Sequence, residues 1–207
     1  MAYNLLKGKK GLIFGALNEQ SIAWKVAERA VEEGAEIVLT NTAVSIRMGT
    51  IGRLAEKCNT IVVPADATSV EDLENLIDKT MEHFGGKFDF MLHSIGMSPN
   101  VRKGRTYDDL DYDYLSKTLD ISAISFHKAI QVARKKDAIN DWGSIVALSY
   151  ILLFGVQGII TKGLLGLHVD IYGRLGLWIV QTVTFFPYAY SVIYSRALPD
   201  ARDRKST

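Results

Sequence analysis

The strongest constraint on this chain is an alternation, over residues 1–150, of short apolar runs with amphipathic helical stretches. The runs are 11–14 (GLIF), 36–40 (EIVLT), 60–63 (TIVV), 88–92 (FDFML) and 144–148 (SIVAL). Each has the length and β-branched content of a buried strand. Between the first two, Ile22, Ala23, Val26, Ala27, Ala30 and Val31 form one apolar stripe on a helix over 21–33, which Gly34 ends. A second helix over 70–84 starts behind Thr68 or Ser69 as its cap, with Glu71 and Asp72 in the first turn where the helix dipole favours anions. A third runs from Asp111 to Arg134 and ends among cations that suit a C-terminus. Strand, helix, strand, repeated, predicts an α/β fold with a parallel, doubly wound sheet. No internal repeat or low-complexity segment interrupts it.

Composition narrows the function. At 207 residues, 48% hydrophobic and 23% charged, the chain is globular and long enough for a sizeable core. Its net charge of +1 comes from 24 basic and 23 acidic side chains in mixed order, so no field gathers nucleic acid, and none is expected as a partner. The lone cysteine, Cys58, excludes a disulfide framework and fits a reducing compartment, by default the cytoplasm. No apolar h-region follows the basic N-terminal residues, so no signal peptide is expected. His168 and Asp170 have no further ligand at useful spacing, and no metal is expected.

The character of the chain changes near Tyr150. From 151 to 195 the charged side chains are Lys162, Asp170 and Arg174 alone, and 175–194 has none. As a helix, that last stretch would span about 30 Å, a bilayer core. Trp178 and nearby tyrosines suit interfaces, and Arg196, Arg202, Arg204 and Lys205 would hold the C-terminus on the cytoplasmic side. The stretch 151–169 is a weaker span, interrupted by Lys162 and four glycines. Three origins fit: a soluble helix pair packed on the sheet, a membrane-seeking segment, or a junction of two unrelated sequences. The remaining 196–207 is a polar tail.

In a doubly wound sheet the ligand lies beyond the carboxyl ends of the strands, and three loops there are informative. In the first, Gly15 lets backbone approach a pyrophosphate, and Ser21 offers a hydroxyl and an amide at a helix N-terminus. An ordinary strand-to-helix turn has the same residues. In the second, Asp66 either accepts from an adenine amine or shapes a turn. In the third, 93–99 (HSIGMSP), small residues leave room for a ribose and a nicotinamide, or form a plain Gly and Pro loop.

Together, Gly15 with Ser21, Ile22 and Ala23, the run His93 to Gly96, and Asp120, Ile121 and Ser122 resemble the enoyl-acyl-carrier-protein reductases, a divergent branch of the short-chain dehydrogenases. The resemblance covers about residues 2–150. It implies a Rossmann-like, dinucleotide-binding reductase domain over 1–150, truncated after the fifth strand and followed by apolar helical segments. It assigns Gly15, Ser21 and Ile22 to the pyrophosphate, Thr42 to a ribose, and Asp66 and Ala67 to the adenine. Ser94, Ile95 and Gly96 fall to the nicotinamide ribose side and Ser98 to the substrate. The implied cofactor is NADH. NADPH stays open, because no acidic residue stands by Thr42 and Arg47 is a candidate phosphate partner. The implied partner is the enoyl thioester of acyl carrier protein, reduced at its β-carbon in fatty-acid synthesis.

In that family a tyrosine donates to the thioester oxygen, and a lysine seven positions later holds the cofactor ribose. The preceding cleft tyrosine is present as Tyr150 and is the one catalytic candidate. Ile160 and Leu167 stand where the donor pair belongs. None of Tyr107, Tyr112, Tyr114, Tyr150, Tyr172, Tyr188, Tyr190 or Tyr194 has a lysine seven residues on. Losing one oxyanion donor costs about 100 to 1000-fold in rate, so turnover is expected to be impaired. The alternatives are a non-catalytic nicotinamide-nucleotide-binding module, or a chimeric chain. For the latter, 154–163 (FGVQGIITKG) and 181–190 (QTVTFFPYAY) resemble a fragment of an ABC transporter permease. Membrane association through 175–194 and self-association through a partly bare long helix are further expectations.

Overall fold

A computed structural model describes residues 2–106 and 108–147. The expectations on Tyr107, Tyr150 and 151–207 therefore lie outside the described residues. Five strands, β1 (Lys10–Phe14), β2 (Glu36–Asn41), β3 (Val62–Pro64), β4 (Phe88–His93) and β5 (Ile139–Ala147), pair in parallel in the order β3-β2-β1-β4-β5. The chain moves outward from β1 to β3, then returns to the other side of β1 for β4. The sheet is thus doubly wound, with its switch point between β1 and β4.

Period-two alternation builds both cores. Leu12, Phe14, Val38 and Met91 face one side and pack with Leu73, Leu76 and Ile77 of α4 (Val70–Phe84), and with Ala129, Val132 and Ala133 further along. Ile13, Ile37, Leu39 and Leu92 face the other, against Ala23, Trp24, Ala27 and Ala30 of α1 (Ile22–Glu32). Each fully buried leucine or isoleucine contributes about 1.5–3 kcal/mol, so these faces fix the register of every strand. Gly34, at φ +91°, turns the chain out of α1 as expected.

The sequence pattern misses the short elements. Two helices, α2 (Ala43–Met48) and α3 (Ile51–Cys58), fill the β2–β3 crossover, and a third, α5 (Pro99–Arg102), follows β4. The two shortest show no periodic stripe, while α3 buries Ile51, Leu54, Ala55 and Cys58 at helical spacing. The start of β3 moves from 60 to Val62, because the Thr60 amide bonds Ala55 and its hydroxyl bonds the Ile37 carbonyl. The start of β5 moves from 144 to Ile139, through a register irregularity where Trp142 takes φ +64°. The predicted long helix becomes α6 (Tyr112–Leu119), a π-turn (Asp120–Ile124) and α7 (Ser125–Lys135). Asp111 caps its start, accepting from the amides of Asp113 and Tyr114. Among the described residues no helix is long and apolar enough to cross a membrane.

Candidate functional site

The carboxyl edge at the switch point is closed first by backbone. The Gly15 amide donates to the Thr40 carbonyl at 3.0 Å, and the Ser94 amide to the Phe14 carbonyl at 3.2 Å. Gly15 takes φ +91°, and a Cβ there would overlap the Ser94 carbonyl oxygen. Glycine is therefore required, and the close approach is between β1 and β4.

The loop from Gly15 into α1 is braced internally. The Ser21 hydroxyl donates to the Asn18 carbonyl at 2.7 Å and accepts from the Leu17 amide at 3.2 Å, and the Ser21 amide also donates to Asn18. Both groups thus close the loop. What the loop leaves open is the first turn of α1. Ser21 makes no side-chain cap, no acidic residue stands in that turn, and the Ile22 and Ala23 amides have no partner among the described residues. Two unpaired amides at the positive end of a helix form an anion seat.

Neighbouring elements hold that seat in place. Asn41 donates its side-chain amide to the Ala16 carbonyl at 3.0 Å, and the Thr50 amide donates to the Leu17 carbonyl at 3.0 Å. Glu28 of α1 takes Lys57 of α3 at 2.8 Å, Lys25 at 3.0 Å and the Trp24 indole N–H at 3.0 Å. Lys57 foremost, with Lys25 and Trp24, draws its carboxyl down to about 2.

The other expected residues divide. Thr42 caps α2, accepting from the Ser45 amide at 3.2 Å, and the Arg47 side chain is exposed on the same helix. Asp66 shapes a turn, its Oδ1 accepting from the Thr68 amide and hydroxyl at 2.9 and 2.8 Å, while its Oδ2 stays free of protein donors among the described residues. The Ala67 methyl is buried in the core with Leu73, so any adenine contact from Ala67 comes from backbone. Ile95 is half-buried against the same core, beside the exposed Gly96. Ser98 caps α5 by accepting from the Val101 amide at 3.4 Å. Gly15, Ser21, Ile22, Ser94, Ile95 and Gly96 come together through the β1–β4 closure. Thr42 belongs to the next strand end, and Asp66 and Ala67 to the one beyond it.

Several supporting contacts escaped the sequence, although His93 and Ser122 stand in its motifs. Ser122, on the π-turn, accepts from the Met97 amide at 3.2 Å. Lys128 of α7 reaches the Thr68 carbonyl and Asp120, both at 2.9 Å, tying the β3 loop to the long helix. His93, fully buried, places Nε2 3.0 Å from the Ser125 hydroxyl, and burial holds its pKa down at about 4. Except for Lys128 and Asp120, 8 residues apart, these partners lie 25 to 60 residues apart, beyond any local periodicity. The sequence does hold one tyrosine with a lysine seven residues later, Tyr3 with Lys10. Lys10 opens β1 at the opposite, amino edge and spends its ammonium on the Phe84 carbonyl, so the pair is no substitute for the missing one.

A doubly wound domain with an open helix N-terminus at its switch point belongs to the dinucleotide-binding class. The enoyl-(acyl carrier protein) reductase family model matches residues 15–159, and the chain belongs to that family. The match runs on to 159, past the end at 150 expected from the motifs. Among similar proteins, the enoyl-acyl-carrier-protein reductase (NADH) FabI of Rickettsia bellii is 37% identical over 166 residues, 78% of this chain and 60% of that protein. The crystal structure of a FabI–NADH complex from Alistipes finegoldii is 99% identical with a TM-score of 0.71, over 73% of this chain and 53% of that one. An Anaplasma phagocytophilum enoyl-acyl-carrier-protein reductase in complex with NAD is 27% identical, with a TM-score of 0.61, over 70% of this chain and 54% of that one. The chain thus spans about half to three-fifths of these relatives' length. The permease likeness of the tail finds no support among these matches.

Proposed function

We propose that this chain carries the NADH-holding half of an enoyl-acyl-carrier-protein reductase site without the proton-donating half, so that it binds NADH and turns over little or no enoyl thioester. The observation that carries this is the uncapped, acid-free first turn of α1 beside the Gly15–Ser94 closure. Its Ile22 and Ala23 amides suit a pyrophosphate, which neutralises the helix end and pairs both donors. Asp66 Oδ2 suits an adenine amine, and the Ser94–Gly96 backbone a ribose and nicotinamide. When bound, NADH supplies the hydride for the β-carbon of a trans-2-enoyl thioester of acyl carrier protein. The chain's own task is to hold the nicotinamide against β4, with Ser98 on the substrate side. Ile160 and Leu167 offer the thioester oxygen no proton and the ribose no ammonium.

This reading places the chain in the cytoplasm, in fatty-acid synthesis. It divides the chain into a cofactor domain over 1–150, an apolar segment over 151–195 and a polar tail. Exposed Tyr112, Leu119 and Ile124 on the long helix favour self-association, which a clean monomer on a sizing column would contradict. The decisive experiment pairs NADH fluorescence titration with loss of NADH absorbance on a short trans-2-enoyl thioester. Saturable binding without turnover is expected; turnover near ordinary enzyme rates, or no binding, overturns the proposal.

A second reading, a chain joined from two unrelated sequences with a membrane-seeking, permease-like tail, is favoured by the abrupt loss of charge after 150 and by 99% identity confined to 73% of the chain. Extraction that requires detergent supports it, and a freely soluble chain of confirmed intact mass counts against a membrane-seeking tail.

A further inference from the structure

The long helix holds an irregularity that the proposed cofactor role does not explain. At the π-turn the Ser125 amide reaches back five residues to the Asp120 carbonyl. The Ile121 carbonyl thereby loses the amide that an α-helix would give it. The Ser125 hydroxyl donates to it instead, at 2.6 Å. That uses the one proton Ser125 has, so at the 3.0 Å contact with His93 the imidazole must donate from Nε2. The tautomer is thereby fixed, and His93 Nδ1 has no partner among the described residues in a fully buried position. The ring lies between Phe14 and Phe126, 5.6 and 5.5 Å away, where an apolar side chain would avoid that cost. On the same π-turn Ser122, 7% exposed, accepts from the Met97 amide at 3.2 Å. With α7 anchored in the core through Ala129, Val132 and Ala133, straightening the turn by one residue would rotate Ser122 about 100° away from Met97.

We propose that His93 is a positioning residue: through Ser125 it holds the π-turn in the shape that lets Ser122 clamp the backbone at Met97, and so it sets the geometry of the 94–98 loop. Its consequence for ligand affinity rests on the proposed NADH role of that loop. The clamp itself does not.

The test uses the whole chain with His93→Phe, Ser125→Ala and Ser125→Thr, the last keeping the hydroxyl. Backbone hydrogen exchange is followed at 94–98, at 120–126 and, as the reference, in α4, alongside NADH fluorescence titration. His93→Phe and Ser125→Ala should each speed exchange in the first two segments about tenfold, leave α4 unchanged and weaken NADH about tenfold; Ser125→Thr should restore both. Exchange at 94–98 within twofold of the parent, or an equal rise in α4, overturns the clamp. Altered exchange with unaltered NADH affinity overturns its role in binding. If the parent itself binds no NADH, the proposed function fails, and exchange still decides the clamp.

Discussion

Two helices begin at the same edge of this sheet and are finished in opposite ways. At α4 the Ser69 hydroxyl accepts from the Asp72 amide at 3.2 Å, and Glu71 and Asp72 fill the first turn. Asp72 also accepts from the Asp66 amide at 2.8 Å. At α1 the corresponding serine turns back into its own loop, no acid is present, and two amides stay unpaired. Each end leaves its first two amides, Val70 and Glu71 or Ile22 and Ala23, without a partner among the described residues; at α4 a serine cap and two acids answer the third amide and the dipole, and at α1 neither is present, which leaves that end to an anion. A helix end is therefore read as a binding site from what fails to cap it.

The sharpest way to break this contrast is Gly15→Val. It places a branched side chain at φ +91° against the Ser94 carbonyl, and should cost about 3 kcal/mol in urea unfolding. NADH binding should disappear with it.

Acid should act on β4, which lies on the far side of β1 from β3. Burial keeps His93 neutral down to about 4, against 6.5 for a free imidazole. Below pH 6.5 the unfolded chain takes up a proton that the folded chain refuses, so stability is full above 6.5 and falls as pH drops toward 4. The loss should reach about 3 kcal/mol. Denaturant midpoints across that window should show the slope in the parent and lose it in His93→Phe. The carboxyls whose pKa is lowered in the fold, Glu28 to about 2 and Glu33 also downward from 4.5, begin to lose their contribution from about pH 5 downward, so the slope between 6.5 and about 5 belongs to the histidine.

Ile22→Asp makes the open end resemble the closed one. The side chain at 22 is 61% exposed, so the helix should gain about 0.3–1 kcal/mol from the dipole while NADH affinity falls about 10 to 100-fold. Ile22→Asn controls for the lost isoleucine. Opposite signs in thermal stability and in Kd are the diagnostic; a parallel loss of both would sink the anion seat.

The smallest effect belongs to the closed end. Ser69→Ala should cost about 1 kcal/mol of stability and leave NADH affinity unchanged. A matching loss of affinity would mean that α4 shares in the site.

Residues on one face of one element were legible beforehand. The Ile22 to Val31 stripe, the alternation of Leu12, Ile13 and Phe14, and the Ser69 cap each obey a short period, and the parallel order follows from repeating them. The need for glycine at 15 was also legible, though its cause was not: the Ser94 carbonyl that excludes a Cβ lies on another strand. The contacts of Ser21 and Ala67 were not legible, because a hydroxyl or methyl takes the nearest partner the fold supplies. For Ser21 that was the Asn18 carbonyl, and for Ala67 the core.

The sequence by itself determined the strand and helix faces, the family, and the absence of a tyrosine and lysine at 160 and 167. All of these are properties of local spacing or of side-chain identity. Tertiary structure alone decided that Gly15 is pressed against the Ser94 carbonyl, that the long helix takes a π-turn, and that His93 is buried against Ser125. Each depends on groups that meet only after β1, β4 and the long helix have packed, and hydrogen-bond satisfaction is settled by that meeting, with no trace in the order of the residues.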